Sequence, residues 1–265
     1  MGPVTPNRLR WGALAWLLTL QFFVVETIAE NRYVGPYSRA DDVISDLGAA
    51  GSAAATLMNA SFVVQGGLIL AGALLLRPVL MRGAAEVAPI LLGGAAAGTV
   101  LVGVFPSDGN ATMHAIGAVL YLLGGGLGLI ALAYAVRPRS EFLGTTLALL
   151  GLIGTATTAL FLTGVTRVLG EGGTERAAAY VLPIGLAVAG VALWRMGATA
   201  AAPAVDDGLS RREERELARA ERAERNRQRD EALEAAARQS SVAPPPADAD
   251  GTEDDPWAAR GRRRD

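Results

Sequence analysis

The sequence predicts an all-α polytopic membrane helix bundle: six transmembrane helices with both termini in the cytoplasm, and a charged cytoplasmic tail. Three observations predict it. Six apolar segments have the length of a bilayer span. Charge is sparse before residue 197 and dense after it. Arginines gather in alternate loops. The 265 residues are 51% hydrophobic yet 19% charged, with a mean hydropathy of +0.31, a mixture that means two regimes in one chain.

The spans run approximately 10–29, 53–76, 87–105, 114–136, 145–166 and 178–196. About 20 apolar residues rising 1.5 Å each cross a hydrocarbon core of roughly 30 Å, so each segment is long enough. The first follows Arg8 and Arg10 as a signal peptide would, but its apolar run is too long and "ETIAE" lacks a small-x-small cleavage site. It is read as an uncleaved span. The segments are also twice too long for barrel strands and lack alternation. Gly94-x-x-x-Gly98 in span 3 and Gly124-x-x-x-Gly128 in span 4 have the spacing that lets helix backbones approach closely.

Arginine placement sets the orientation. Arg8 and Arg10 precede span 1, Arg77 and Arg82 follow span 2, Arg137 and Arg139 follow span 4, and Arg195 ends span 6. The other loops carry Arg32, Arg39, Arg167 and Arg176, each accompanied by acids. Loops 30–52, 106–113 and 167–177 are therefore expected outside. All 24 basic residues are arginine in an Ala- and Gly-rich chain, which points to a GC-rich bacterial genome and hence to a multi-pass protein of the bacterial plasma (inner) membrane.

Residues 1–196 form the expected membrane domain, with 11 arginines and 10 acids; 197–265 form the tail, with 13 arginines and 16 acids. Neither balance argues for nucleic acid. The absence of cysteine removes disulfides and thiolate metal sites. Ser210-Arg211-Arg212-Glu213 fits a capping box, and pairs such as Glu221/Arg225 have helical spacing, so a solvated helix is expected over about 210–238. It has no apolar stripe. Beyond it the Pro-, Asp- and Ala-rich chain is expected to be disordered, with Trp257 and "RGRRRD" suited to a cytoplasmic protein partner or anionic lipid, although a solvated tail is the simpler reading.

The polar residues near membrane depth concentrate on the outer side: Glu26 at the end of span 1; Tyr37, Ser45 and Asp46 in the first loop; Asn59, Ser61 and Gln65 in span 2. Asp108 and the single histidine, His114, follow in the second loop, and Glu175 with Arg176 in the third. "YSRADDVISDLGA", "LMNASFVVQGGLIL", "FPSDGNATMHAIGA" and "GGTERAAAYVLPIGLAVAGVALW" occur in that order. With these motifs, residues 10 to 196 resemble the bacterial and archaeal membrane proteins of domain-of-unknown-function family 998. The "ISDLG" block is more distantly similar to that of the DRAM-type six-span proteins. The resemblance implies a six-span bundle and marks these residues without supplying a reaction.

Asp46, Asn59, His114 and Arg176 are expected to converge on one outer pocket, with Tyr37, Asp108 and Glu175 nearby. The ligand-binding set is thus Tyr37, Ser45, Asp46, Asn59, His114, Glu175 and Arg176. Each has a plain structural alternative: Asp46 capping a short helix ended by Gly48, Asp108-Gly109 forming a turn, Asn110 capping span 4, and Glu175 pairing with Arg176. Three functional classes follow. The first binds membrane lipid or another amphiphilic ligand, with Arg176 as the anion contact. The second is a membrane enzyme with His114 as acid or base beside Asp46 or Asp108, although no Gly-x-Ser-x-Gly, His-Glu-x-x-His or P-loop is present. The third is a transporter, disfavoured because Pro89 and Pro183 fall near span ends and no inverted repeat of broken helices is visible. No metal or other cofactor is expected.

Overall fold

In the computed structural model, residues 5–81, 83–201 and 211–242 are described. The chain divides into two compact units, Met1–Ala202 and Pro203–Asp265. Six stretches of the first unit are long and apolar enough to cross a membrane: Pro6–Glu30, Ala55–Val79, Ala84–Val104, Ala111–Val136, Glu141–Leu162 and Glu171–Gly197. They are built from helices α1 (Pro6–Leu18), α2 (Gln21–Glu30), α3 (Ala55–Leu76), α4 (Ala84–Val104), α5 (Ala111–Val136), α6 (Glu141–Leu162), α7 (Glu171–Ala179) and α8 (Val181–Ala201). Consecutive spans are neighbours, and α8 returns to α1 to close the ring.

Small residues set the closeness of that ring. A Cβ on Gly98 of α4 would meet the backbone of Gly117 and Tyr121 on α5, and one on Gly117 would meet Gly98 in turn. Gly124 and Gly128 likewise pack on α4, through Leu91, Ala95 and Leu92. Gly94 faces open space, so half of the expected Gly94/Gly98 motif does no packing. Bilayer hydrocarbon is as apolar as leucine, and such close contact is one of the few forces left to hold the helices together.

Two spans are segmented. In the first, Thr19 and Leu20 interrupt the helix with bonds to the third residue back, and the Thr19 hydroxyl is shared between the carbonyls of Trp16 at 2.6 Å and Pro183 at 3.2 Å. In the sixth, Tyr180 separates α7 from α8. Pro183 has no N–H to offer the carbonyl of Ala179, which instead accepts the Tyr121 hydroxyl at 3.1 Å. The expectation that Pro183 lies near a span end is thereby corrected: the sixth helical span starts at Glu171, not 178. Both carbonyls at the Pro183 turn accept hydroxyls from neighbouring spans, which satisfies the backbone that the proline interrupts.

The ends of the bundle differ. At one, arginines cap helix termini: Arg8 donates to the carbonyls of Leu74 and Leu75, and Arg139 to that of Val79. The other end carries loops 31–54, 105–110 and 163–170. The two limbs of loop 31–54 are joined by the Tyr33–Ser52 bridge, and between them Ile44–Gly48 form a 3-10 turn. Ile44 and Leu47 of that turn are buried with Phe22, Met58, Phe62, Val102 and Leu122 in a core separate from the one around Trp16, Leu92 and Leu186.

The tail helix α9 (Arg211–Val242) has exposed side chains throughout residues 216–238, with Glu221–Arg225 and Glu234–Arg238 ion pairs along it. Ser210 of the expected capping box, and Trp257 with the arginines after it, lie outside the described residues.

Candidate functional site

Helix α7 organises the loop end. The "GEGGTER" stretch, expected as an outer loop, begins a helix instead. Gly170 at its N-cap has φ +76°, a conformation that disfavours a side chain, and a Cβ there would strike the Ala40 carbonyl. A Cβ on Gly172 would strike the carbonyl of Asp42. Without side chains at these positions, the 38–42 backbone lies directly on α7, and the Gly173 N–H donates to the Ala40 carbonyl at 2.9 Å.

Arg176 locks that contact. Its side chain is 7% exposed and its Nε donates to Glu26 Oε1 at 2.9 Å, with Glu26 itself 1% exposed. Nη1 donates to the carbonyls of Arg39 and Asp42, both at 2.8 Å, and Nη2 donates to the Tyr37 hydroxyl. The guanidinium also sits 5.6 Å from the centre of the Tyr37 ring. Both Glu26 oxygens take the Tyr180 hydroxyl, at 2.8 and 2.7 Å. A buried pair with further hydrogen bonds of this kind on both partners approaches the condition under which desolvation is repaid. Tyr37 holds its proton up to about 12, because burial outweighs the pull of Arg176. The Arg39 side chain points elsewhere, to Glu30 at 2.6 Å, and that bond raises its pKa further.

Glu175 faces a different way. It lines a cavity of about 30 Å³ together with Ser45, Thr99, His114 and Tyr121, walled by Phe22, Phe62, Val102 and Leu122. That volume holds about two water molecules. Glu175 Oε2 accepts the Ile44 N–H at 2.5 Å, and no described side chain hydrogen-bonds to the other oxygen. His114, in the first turn of α5, has Nδ1 2.8 Å from the Phe105 carbonyl; a carbonyl only accepts, so Nδ1 carries a proton, and in the neutral ring Nε2 is left as an acceptor.

The expected single pocket is therefore two neighbouring sites. Ser45, His114 and Glu175 share the cavity; Tyr37 and Arg176 belong to the ion-pair cluster and do not line it. Arg176 spends its donors on Glu26, Tyr37 and two carbonyls. Asp46 is half-buried outside the cavity wall, its pKa raised by burial and then by Asp42. Asn59 donates to the Gly48 carbonyl at 2.8 Å and so fixes the 3-10 turn. Asp108 is exposed and accepts the Ala50 N–H at 2.8 Å, tying loop 105–110 to loop 31–54. Asn110 caps α5 by accepting the Met113 N–H. His114 makes no hydrogen bond to Asp46 or Asp108 among the described residues; its Nδ1 is bonded to Phe105, although its charge would act on Asp46.

Sequence reading missed Glu26 as the partner of Arg176, and it missed Tyr180, Tyr121 and Thr99 altogether. A carboxylate inside an apolar span calls for a cation at the same depth, which was the available signal for Glu26. Among the described residues, no three His, Asp or Glu side chains gather where they could hold a metal ion.

Neither the curated proteins nor the solved structures contain a match to this chain. A family model described as protein of unknown function (DUF998) matches residues 16–192, reaching into all six candidate spans, and the chain belongs to that family.

Proposed function

We propose that this is a multi-pass protein of a bacterial plasma membrane that binds a lipid or other amphiphile at its outward end. Both termini are cytoplasmic in this reading, and loop 31–54 covers the outward end. The observation that carries it is the cavity at that end, whose lining combines polar Ser45, His114, Tyr121 and Glu175 with apolar Phe22, Phe62, Val102 and Leu122. Such a wall matches a molecule with one polar group and apolar flanks. At about 30 Å³ the cavity takes a single small polar group, and the chains of an amphiphile would lie along the exposed apolar faces of the spans. The arginine bias at the opposite end supports the orientation. The charged tail, which has no apolar stripe of its own, would serve as a docking arm for a cytoplasmic protein partner.

The test is lipid retention. Protein purified in mild detergent is expected to carry bound lipid in native mass spectrometry. Ala118→Leu, which fills the cavity from α5, is expected to lose it while remaining folded. Wild-type protein free of lipid, or equal retention by the variant, would overturn the reading.

A further inference from the structure

We propose that the cavity takes a primary ammonium group, presented by the headgroup of an aminolipid. This rests on the lipid-binding reading and names its ligand class. Two independent features of the wall point to it.

The first is hydrogen-bond character. The Tyr121 hydroxyl donates to the Ala179 carbonyl and the Thr99 hydroxyl to that of Phe62, at 3.1 and 3.2 Å. Their protons are committed, so each oxygen offers only lone pairs, one of those on Tyr121 being turned toward the Gln65 amide. A neutral His114 offers Nε2 as an acceptor, and Glu175 offers a carboxylate oxygen that takes no donor among the described residues. Ser45 alone has a hydroxyl proton free to turn. A wall of acceptors is complementary to a group that only donates. An ammonium has three donors and no acceptor, and a phosphate or carboxylate has the reverse.

The second is charge. Arg176 neutralises Glu26 and has two further carbonyls and a phenol around it, so it is not free to meet an anion. Arg39 is taken by Glu30. Glu175 is then a buried carboxylate with no ion-pair partner among the described residues, in a wall that includes Phe22, Phe62 and Tyr121. Aromatic faces attract cations, and an ammonium is about the size of the water molecules the cavity would otherwise hold.

The experiment uses full-length protein, delipidated and titrated in native mass spectrometry with lipids of matched acyl chains. Phosphatidylethanolamine is expected to bind about tenfold more tightly than phosphatidylglycerol, the effect of one charged hydrogen bond. Phosphatidylcholine, whose trimethylated nitrogen is too large and has no N–H, is expected to bind no better than phosphatidylglycerol. That arm needs no variant. Glu175→Gln, which keeps the shape, is expected to level the three headgroups. Free ethanolamine displacing the bound lipid supports the ammonium site and measures how much affinity the chains add. Equal binding of all three lipids to wild-type protein overturns the ammonium assignment and leaves lipid binding standing. Binding of none of them overturns the lipid-binding reading itself, and displacement of solvent by ethanolamine alone would then assign the site to a free amine.

Discussion

Arg176→Met removes a cation from a place built around it, and the cost follows from its contacts. The variant loses the 2.9 Å bond to Glu26, two 2.8 Å bonds to loop carbonyls and the bond to Tyr37. It leaves Glu26 buried as an anion whose remaining donor is the Tyr180 hydroxyl. Removing one partner of a buried pair costs about 3–5 kcal/mol. Because two of the lost bonds hold Arg39 and Asp42, much of that cost should appear as release of loop 31–54 rather than unfolding of the spans. Three kcal/mol corresponds to more than about a hundredfold in the opening equilibrium. The assay is limited trypsin digestion in detergent, with cleavage after Arg32 and Arg39 followed by mass spectrometry. The control is Arg39→Ala, read at Arg32 because the other cleavage site is gone; it takes away the half-exposed pair with Glu30, keeps the carbonyl that Arg176 uses and should cost less than about 1 kcal/mol. Glu26→Gln combined with Arg176→Met should cost less than the two separately, with a coupling of about 1–3 kcal/mol. Cleavage of Arg176→Met at the wild-type rate would refute the latch. The loop would then be held by the Tyr33–Ser52 bridge and the Asp108–Ala50 bond instead.

Two further predictions concern the bundle. Gly98→Ala forces a methyl against the α5 backbone and should destabilise by about 1–3 kcal/mol in thermal unfolding, whereas Gly94→Ala faces open space and should change it by less than about 0.5 kcal/mol. The chain has no cysteine, so single cysteines report topology cleanly: Val168→Cys in loop 163–170 should label with an impermeant thiol reagent in intact cells, and Glu141→Cys at the opposite end should not. The reverse labelling would place the cavity on the cytoplasmic side.

The six spans were legible because length and apolarity are properties of the chain alone, and bilayer thickness turns them directly into structure. The start of the sixth was not. "GEGGTER" has the composition of a loop, and its helix forms because three glycines admit the 38–42 backbone, a contact 130 residues away that no local pattern encodes. The polar end of the bundle was also legible, since Glu26, Asn59, His114 and Arg176 all fall at matching ends of their spans. Their convergence on one pocket was not, for a geometric reason. Once 171–179 is a helix, Glu175 and Arg176 stand about 100° apart around its axis and cannot share a wall. Arg176 turns to Glu26 and the loop, and Glu175 turns to the Ile44 N–H and the cavity.

In the proposed reading, that division links closure of the loop to occupancy of the cavity. The Ile44 N–H, which belongs to the loop, donates to Glu175 Oε2, and the other Glu175 oxygen is the one left for a ligand. A donor arriving there adds to the Ile44 bond rather than replacing it, so both act on one carboxylate. Ile44 and Ser45 also form part of the cavity wall, so an open loop has no complete site. Linkage is reciprocal: whatever favours the closed loop tightens binding, and a bound ligand holds the loop closed by the same factor. Arg176 does not touch the cavity, yet Arg176→Met should weaken retention of phosphatidylethanolamine, and saturating lipid should slow trypsin cleavage after Arg39 in wild-type protein. Lipid retention unchanged in Arg176→Met, alongside the faster cleavage expected of it, would show that loop and cavity act separately and that Ile44 carries no coupling.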